Sequence, residues 1–213
     1  MDHGTAVVGF DIYVIGGCND VFGGLSTCLC FNAVTKTCRK VALMAERRNK
    51  LSVTVLRGAV YAMGGQDGSR IHRTVERYDC KTNKWSLINP MNKQRARARA
   101  AVLNDKIYVA GGVNCYGYLN SVEVYDPDTN RWTFVAPMLS VHLLFSCVEF
   151  HGCLYALALL LVSNQGCVHQ WVTSNRAPNP TLRAGAQDTS EGAVLLDTTR
   201  PKAHSVIVSE TRP

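Results

Sequence analysis

Apolar and polar positions along the first three-quarters of the chain fall into short runs with the period of an extended strand. In "RARARA" (95–100) the residue type changes at every step, the spacing that sends successive side chains to opposite faces of a sheet. Strands are predicted at about 97–103 ("RARAAVL"), 106–110 ("KIYVA"), 121–126 ("SVEVYD") and 131–135 ("RWTFV"), rich in β-branched and aromatic residues. Turn-forming chemistry separates them: Asn104-Asp105, the Gly111-Gly112 stretch, and "DPDTN" at 126–130.

This four-strand pattern recurs. Tyr13, Tyr61, Tyr108 and Tyr155 are separated by 48, 47 and 47 residues. Phe31, Tyr78 and Tyr125 step by 47, as do Cys38, Trp85 and Trp132, and Met44, Met91 and Met138. Several columns in one register exclude coincidence, and a period near 50 with four strands per unit predicts propeller blades. The pairs Gly16-Gly17, Gly64-Gly65 and Gly111-Gly112 close each second strand where the backbone needs unusual dihedrals. The tyrosines and tryptophans are bulky flat bodies suited to filling the space between blades.

Composition narrows the function classes. Hydrophobic residues make up 46% and charged residues 18%, which fits a globular chain. The formal charge of +7 lies mainly in the first 157 residues. "MDHGTAVVGF" has no cationic segment before a long apolar run, so no signal peptide is expected. The ten-residue apolar run from Cys153 to Val162 is too short for a membrane helix, which takes roughly 20 residues. Nine cysteines without a CxxC pair fit scattered reduced thiols in a cytoplasmic protein better than a metal site. The histidines occupy unrelated columns and no GxSxG, HExxH or Walker pattern occurs, so no enzyme, metal or cofactor is expected. No aromatic platform interleaves with Arg95, Arg97 and Arg99, which argues against nucleic acid.

The diglycines with spaced tyrosine and tryptophan resemble the kelch repeat, and "SVEVYDPDTNRWTFVAPM" (121–138) resembles the kelch-like (BTB-kelch) family of substrate adaptors. The resemblance implies an all-β, partial kelch β-propeller, with blades at about 1–44, 45–91 and 92–138 and an incomplete one at 139–157. It also implies a protein-interaction module. In the family the propeller captures a protein substrate for ubiquitination, while BTB and BACK domains, absent from this sequence, recruit cullin-3. An actin- or cytoskeleton-binding role is the alternative. Two sets of loop residues are implied as partner contacts. Phe22, Gln66, Asp67, Arg70, Asn114, Tyr116 and Tyr118 follow the second strands, and Arg47, Arg48, Arg95 and His142 lie between blades.

The pattern stops abruptly. Ala158-Leu159 stand where the fourth diglycine is due, and Trp171 falls only 16 residues past Tyr155, against 24 in the earlier copies. Residues 158–213 are therefore expected to be an irregular tail, either a disordered extension or non-homologous sequence.

Overall fold

The computed structural model describes residues 2–19, 23–138, 141, 145–160, 165–171 and 193–195. The first antiparallel sheet is a meander of β1 (Gly4–Val8), β2 (Asp11–Ile15), β3 (Cys28–Asn32) and β4 (Thr37–Lys40). The second contains β5 (Ser52–Leu56) and β6 (Ala59–Met63), then a small hairpin, β7 (Gln66–Asp67) and β8 (Arg70–Ile71), then β9 (Val75–Asp79) and β10 (Lys84–Ile88). The third repeats this plan: β11 (Arg99–Leu103), β12 (Lys106–Ala110), the hairpin β13 (Val113–Asn114) and β14 (Gly117–Tyr118), then β15 (Val122–Asp126) and β16 (Arg131–Val135). All four sheets are antiparallel, and the first strands approach one another, β1 against β5, β5 against β11, β11 against a fourth sheet. That contact makes the first strands the common edge of a fan.

The fourth sheet consists of β17 (Phe145–Phe150), β18 (Cys153–Leu160), β19 (Gln165–Trp171) and β20 (Ala193–Leu195). Its last two strands come from beyond residue 157, where the repeat pattern gives no strand. "CLYALALL" and "QGCVHQW" pair from Leu154↔Trp171 to Leu160↔Gln165, the second of them outside the repeat columns. The remainder of the expected tail lies outside the described residues.

Packing between sheets follows the columns. Ala6, Tyr13, Ile15, Cys28 and Cys30 of the first sheet are buried against Val60, Ala62 and Tyr78 of the second. Tyr61 and Met63 of the second meet Ile107, Val109, Tyr125 and Trp132 of the third. Ring pairs bridge each gap, Tyr13–Tyr78 at 5.6 Å and Tyr61–Tyr125 at 6.0 Å between centroids, within the favourable range for tilted aromatics. Tyr108 faces Phe145, Leu154 and Ala156 in the next gap. The tryptophans also tie backbone: Trp85 Nε1 donates to the Ala42 carbonyl (3.0 Å) and Trp132 Nε1 to that of Asn89 (2.8 Å). Cys38, in the tryptophan column of the first sheet, is exposed and makes no such bond among the described contacts.

Burial leaves Cys28 chemically quiet: its thiol is pushed up to about 12, chiefly by desolvation. No helix long and apolar enough to cross a bilayer occurs among the described residues.

Candidate partner-binding rim

Alternating strands give the fan two rims. One carries the tight turns between first and second strands and between third and fourth. The other carries the small hairpins and the segments linking one sheet to the next. The turn rim is closed on itself by charge. Arg57, in the β5–β6 turn, donates to Asp105 of the next sheet and to Asp128 (2.6 Å), and Lys106 pairs with Asp126 at 2.7 Å. These contacts are exposed and screened by solvent, so each adds little to stability, but they occupy the side chains.

The hairpin rim is built around two arginines and two glutamates. Arg48 and Arg95 were expected as exposed contacts between blades; both are instead fully buried. The Arg48 guanidinium bonds Glu76 (3.0 Å) and donates to the carbonyls of Gly64 (2.7 Å) and Thr74 (2.9 Å). Arg95 repeats this with Glu123 (2.9 Å), Gly111 (2.8 Å) and Ser121 (2.8 Å). Burial pulls both guanidinium pKa values down, and the facing carboxylate opposes it.

The physical reason lies beside each arginine. The carbonyls of the first glycine of the pair and of the residue just before β9 or β15 converge on the guanidinium. The Thr74 and Ser121 oxygens also accept from the Gly64 and Gly111 amides (3.1 Å each), and the arginine adds a donor to both carbonyls. Glu76 accepts in turn from the linker amides of Ala45 (2.7 Å) and Glu46 (3.2 Å), and Glu123 from those of Asn92 (2.6 Å) and Lys93 (3.1 Å). These arginines are staples inside the repeat. The two glutamates escaped notice in the sequence, although a charged residue at 76 and again at 123, inside "VERYD" and "VEVYD", is a column that apolar strands do not need.

The rest of "RARARA" divides. Arg97 is exposed with φ 57°, its amide donating to the Lys50 carbonyl at 2.8 Å, so β11 starts at Arg99 and not at 97. Arg99 reaches the Phe145 carbonyl of the fourth sheet (2.6 Å).

The diglycines are required where they stand. A Cβ on Gly64 (φ 60°) would sit 2.2 Å from the Arg95 carbonyl oxygen, and the neighbouring Gly65 amide donates to that same oxygen at 2.8 Å.

The other expected contacts lie on this rim, with Gln66, Asp67 and Arg70 on β7–β8 and Asn114, Tyr116 and Tyr118 on β13–β14. Tyr116 is 94% exposed and Tyr118 54%. Asp67 is engaged, accepting from the Gly24 amide (2.7 Å). Arg47 is exposed. Phe22 and His142 lie outside the described residues. Beneath Tyr116 and Tyr118 runs a groove of about 420 Å³, walled by Asn92, Lys93 and Gln94 of the linker, by Arg73, and by Asn114. Among the described residues no group of three or more His, Cys, Asp or Glu is placed to hold a metal ion.

The family model "KLHDC2/KLHL20/DRC7 Kelch-repeats domain" matches residues 1–153. The chain belongs to the kelch-repeat family. Kelch-like protein 21 of Danio rerio is 34% identical over 85 residues, 39% of this chain and 14% of that protein. The Homo sapiens Kelch-like protein 21 is 33% identical over the same length. Kelch repeat and BTB domain-containing protein 2 of Cowpox virus (strain Brighton Red) is 30% identical over 91 residues, 43% of this chain and 16% of that one. The matched stretches thus span about one-sixth or less of these relatives. Among solved structures, "Structure of YjhT" superposes with a TM-score of 0.67 at 16% identity, over 82% of this chain and 62% of that one. That likeness shows the kelch propeller fold.

Proposed function

We propose that this kelch-repeat chain is the substrate-recognition part of a cytoplasmic cullin-3 ubiquitin ligase adaptor of the kelch-like type, capturing a protein through its hairpin rim and carrying out no catalysis itself. The observation that supports this is the contrast between the rims. On the turn rim Arg57, Asp105, Asp128, Lys106 and Asp126 are spent on one another, whereas the hairpin rim presents Tyr116 almost wholly to solvent beside an open groove. A tyrosine with no packing partner of its own is the residue type that dominates binding energy once a partner covers it. Cullin-3 would be reached through BTB and BACK domains, which these 213 residues do not contain. The narrowest form of the reading, a likeness to kelch-like protein 10, rests on residues 121–138 alone.

Photo-crosslinking in cells tests the rim. A benzoylphenylalanine replaces Tyr116 or Arg47 on the hairpin rim, and Phe10 or Lys81 on the turn rim. Protein adducts concentrated on the first pair are expected; adducts equal or stronger on the second pair overturn the assignment. Attached to BTB and BACK domains, the chain should bring its adducts into complexes with cullin-3. Co-sedimentation with filamentous actin in place of that complex would replace the adaptor reading by the cytoskeletal one.

A further inference from the structure

The groove under Tyr116 and Tyr118 has a counterpart one repeat earlier, and the difference between them indicates what it binds. At the junction of the first and second sheets the same columns hold Glu46, Arg47, Asp67 and Arg70, and the two acids are answered locally. Glu46 faces Arg70 and His72, each at 3.7 Å, and Asp67 accepts from the Gly24 amide. At the junction of the second and third sheets both acids are gone. Lys93 replaces Glu46, Asn114 replaces Asp67, and Arg73 stands where Ser26 stood. The charged groups lining the groove are therefore Arg73 and Lys93, both cations. Glu123, the nearest column acid, is buried and engaged by Arg95 and the linker amides. Lys93 extends over the Phe134 ring, 5.7 Å from its centroid, which places its ammonium without neutralising it.

We infer that this groove takes an extended acidic segment of a partner protein, its carboxylates set against Arg73 and Lys93, its backbone against the Asn92, Gln94 and Asn114 amides, and its apolar side chains against Tyr116 and Tyr118. The guanidinium fork of Arg73 suits a carboxylate in two-point contact, and the lysine supplies a second charge on the facing wall. Asn92 Nδ2 is spent on Glu123 and the Trp132 carbonyl, and Asn114 Oδ1 on the Tyr116 amide, which leaves the Gln94 amide, Asn92 Oδ1 and Asn114 Nδ2 to meet an extended backbone. This assignment rests on the hairpin-rim reading above and names the class of segment that rim selects.

The test uses the full chain and a fluorescein-labelled dodecapeptide of alternating glutamate and leucine, with glutamine in place of glutamate as control, followed by anisotropy at low and high salt. The acidic peptide should bind, weaken as salt rises, and lose roughly tenfold in affinity with Lys93→Gln and again with Arg73→Gln, whereas the glutamine peptide should bind weakly throughout. Lys81→Gln removes the same charge from the opposite rim and should change nothing. An equal loss with Lys81→Gln would show generic attraction to a basic protein and overturn the proposal, as would equal binding of the two peptides. Thermal melts of each variant confirm that the fold is intact. The two readings fail separately: adducts at Tyr116 with no peptide discrimination remove the acidic selection and leave the module, while peptide selection without adducts at Tyr116 in cells removes the adaptor role.

Discussion

Replacing Arg95 by alanine would strand Glu123, a carboxylate inside the sheet whose remaining partners are the neutral amides of Asn92 and Lys93, and would take a donor from the Gly111 and Ser121 carbonyls. Breaking a buried pair from one side costs about 3–5 kcal/mol, so Arg95→Ala should lower the urea midpoint by that equivalent. Partner capture would then fail through unfolding rather than through a lost contact. A midpoint unchanged within error would show that the pair is not buried in solution. His72 behaves differently. Its ring is buried with neither nitrogen hydrogen-bonded, and burial, followed by the nearby Arg48, pulls its pKa below the ordinary value of 6.5. The unfolded chain therefore takes up a proton that the folded one refuses, and this contribution to stability is lost as pH falls from about 6.5 toward the lowered folded value. The repeat offers its own remedy, since Leu119 occupies the same column one sheet later. His72→Leu should flatten the stability–pH profile below about pH 6.5; an unaltered profile there would assign the slope to other groups. None of this was legible at single positions in the sequence, because an arginine on a loop and one inside a sheet are written alike. Only pairing the columns, 48 with 76 and 95 with 123, reveals the difference.

At the scale of an element, each sheet is held by an aromatic wedge and by its link to the next. Trp132 packs on Tyr125 with centroids 5.0 Å apart and holds the Asn89 carbonyl. Trp132→Ala should cost about 3–5 kcal/mol, and a thermal melt that does not move would mean that the ring is not buried between the second and third sheets. The strands themselves were the most legible feature. The alternation, the diglycines and the tyrosine column locate β5, β6, β11 and β12 to within a residue or two, because a sheet with one face against a neighbour imposes its period on the sequence. The start of β11 was not legible. Arg97 continues the alternation while its backbone sits in the left-handed region, a conformation the side-chain pattern does not record. The fourth sheet's outer strands were hidden for a related reason: they follow no column of the repeat.

For the molecule as a whole, the columns that are covered inside the fan are bare at its first face. Phe31 is 37% exposed where its counterpart Tyr78 is 1% exposed, and Val7 beside it is 60% exposed. Leu29 holds the column of Glu76 and Glu123, so that face also lacks the carboxylate that receives a linker. An apolar sheet face of this kind drives self-association. Val7→Lys with Phe31→Glu should therefore raise the concentration at which the chain stays monomeric in light scattering while leaving its melting temperature nearly unchanged. A marked fall in melting temperature would show that the face is packed after all. One contact described above also bears on the order in which the array comes apart. The Gly17 amide donates to the Arg48 carbonyl and the Gly65 amide to that of Arg95, each across to the following sheet at 2.8 Å. The arginine that offers the oxygen is anchored, through its side chain, to the glutamate of its own sheet. The Gly17 and Gly65 amides are thus guarded by the repeat that comes after them, and their hydrogen exchange with solvent reports the opening of that neighbour before the opening of the strand to which they belong.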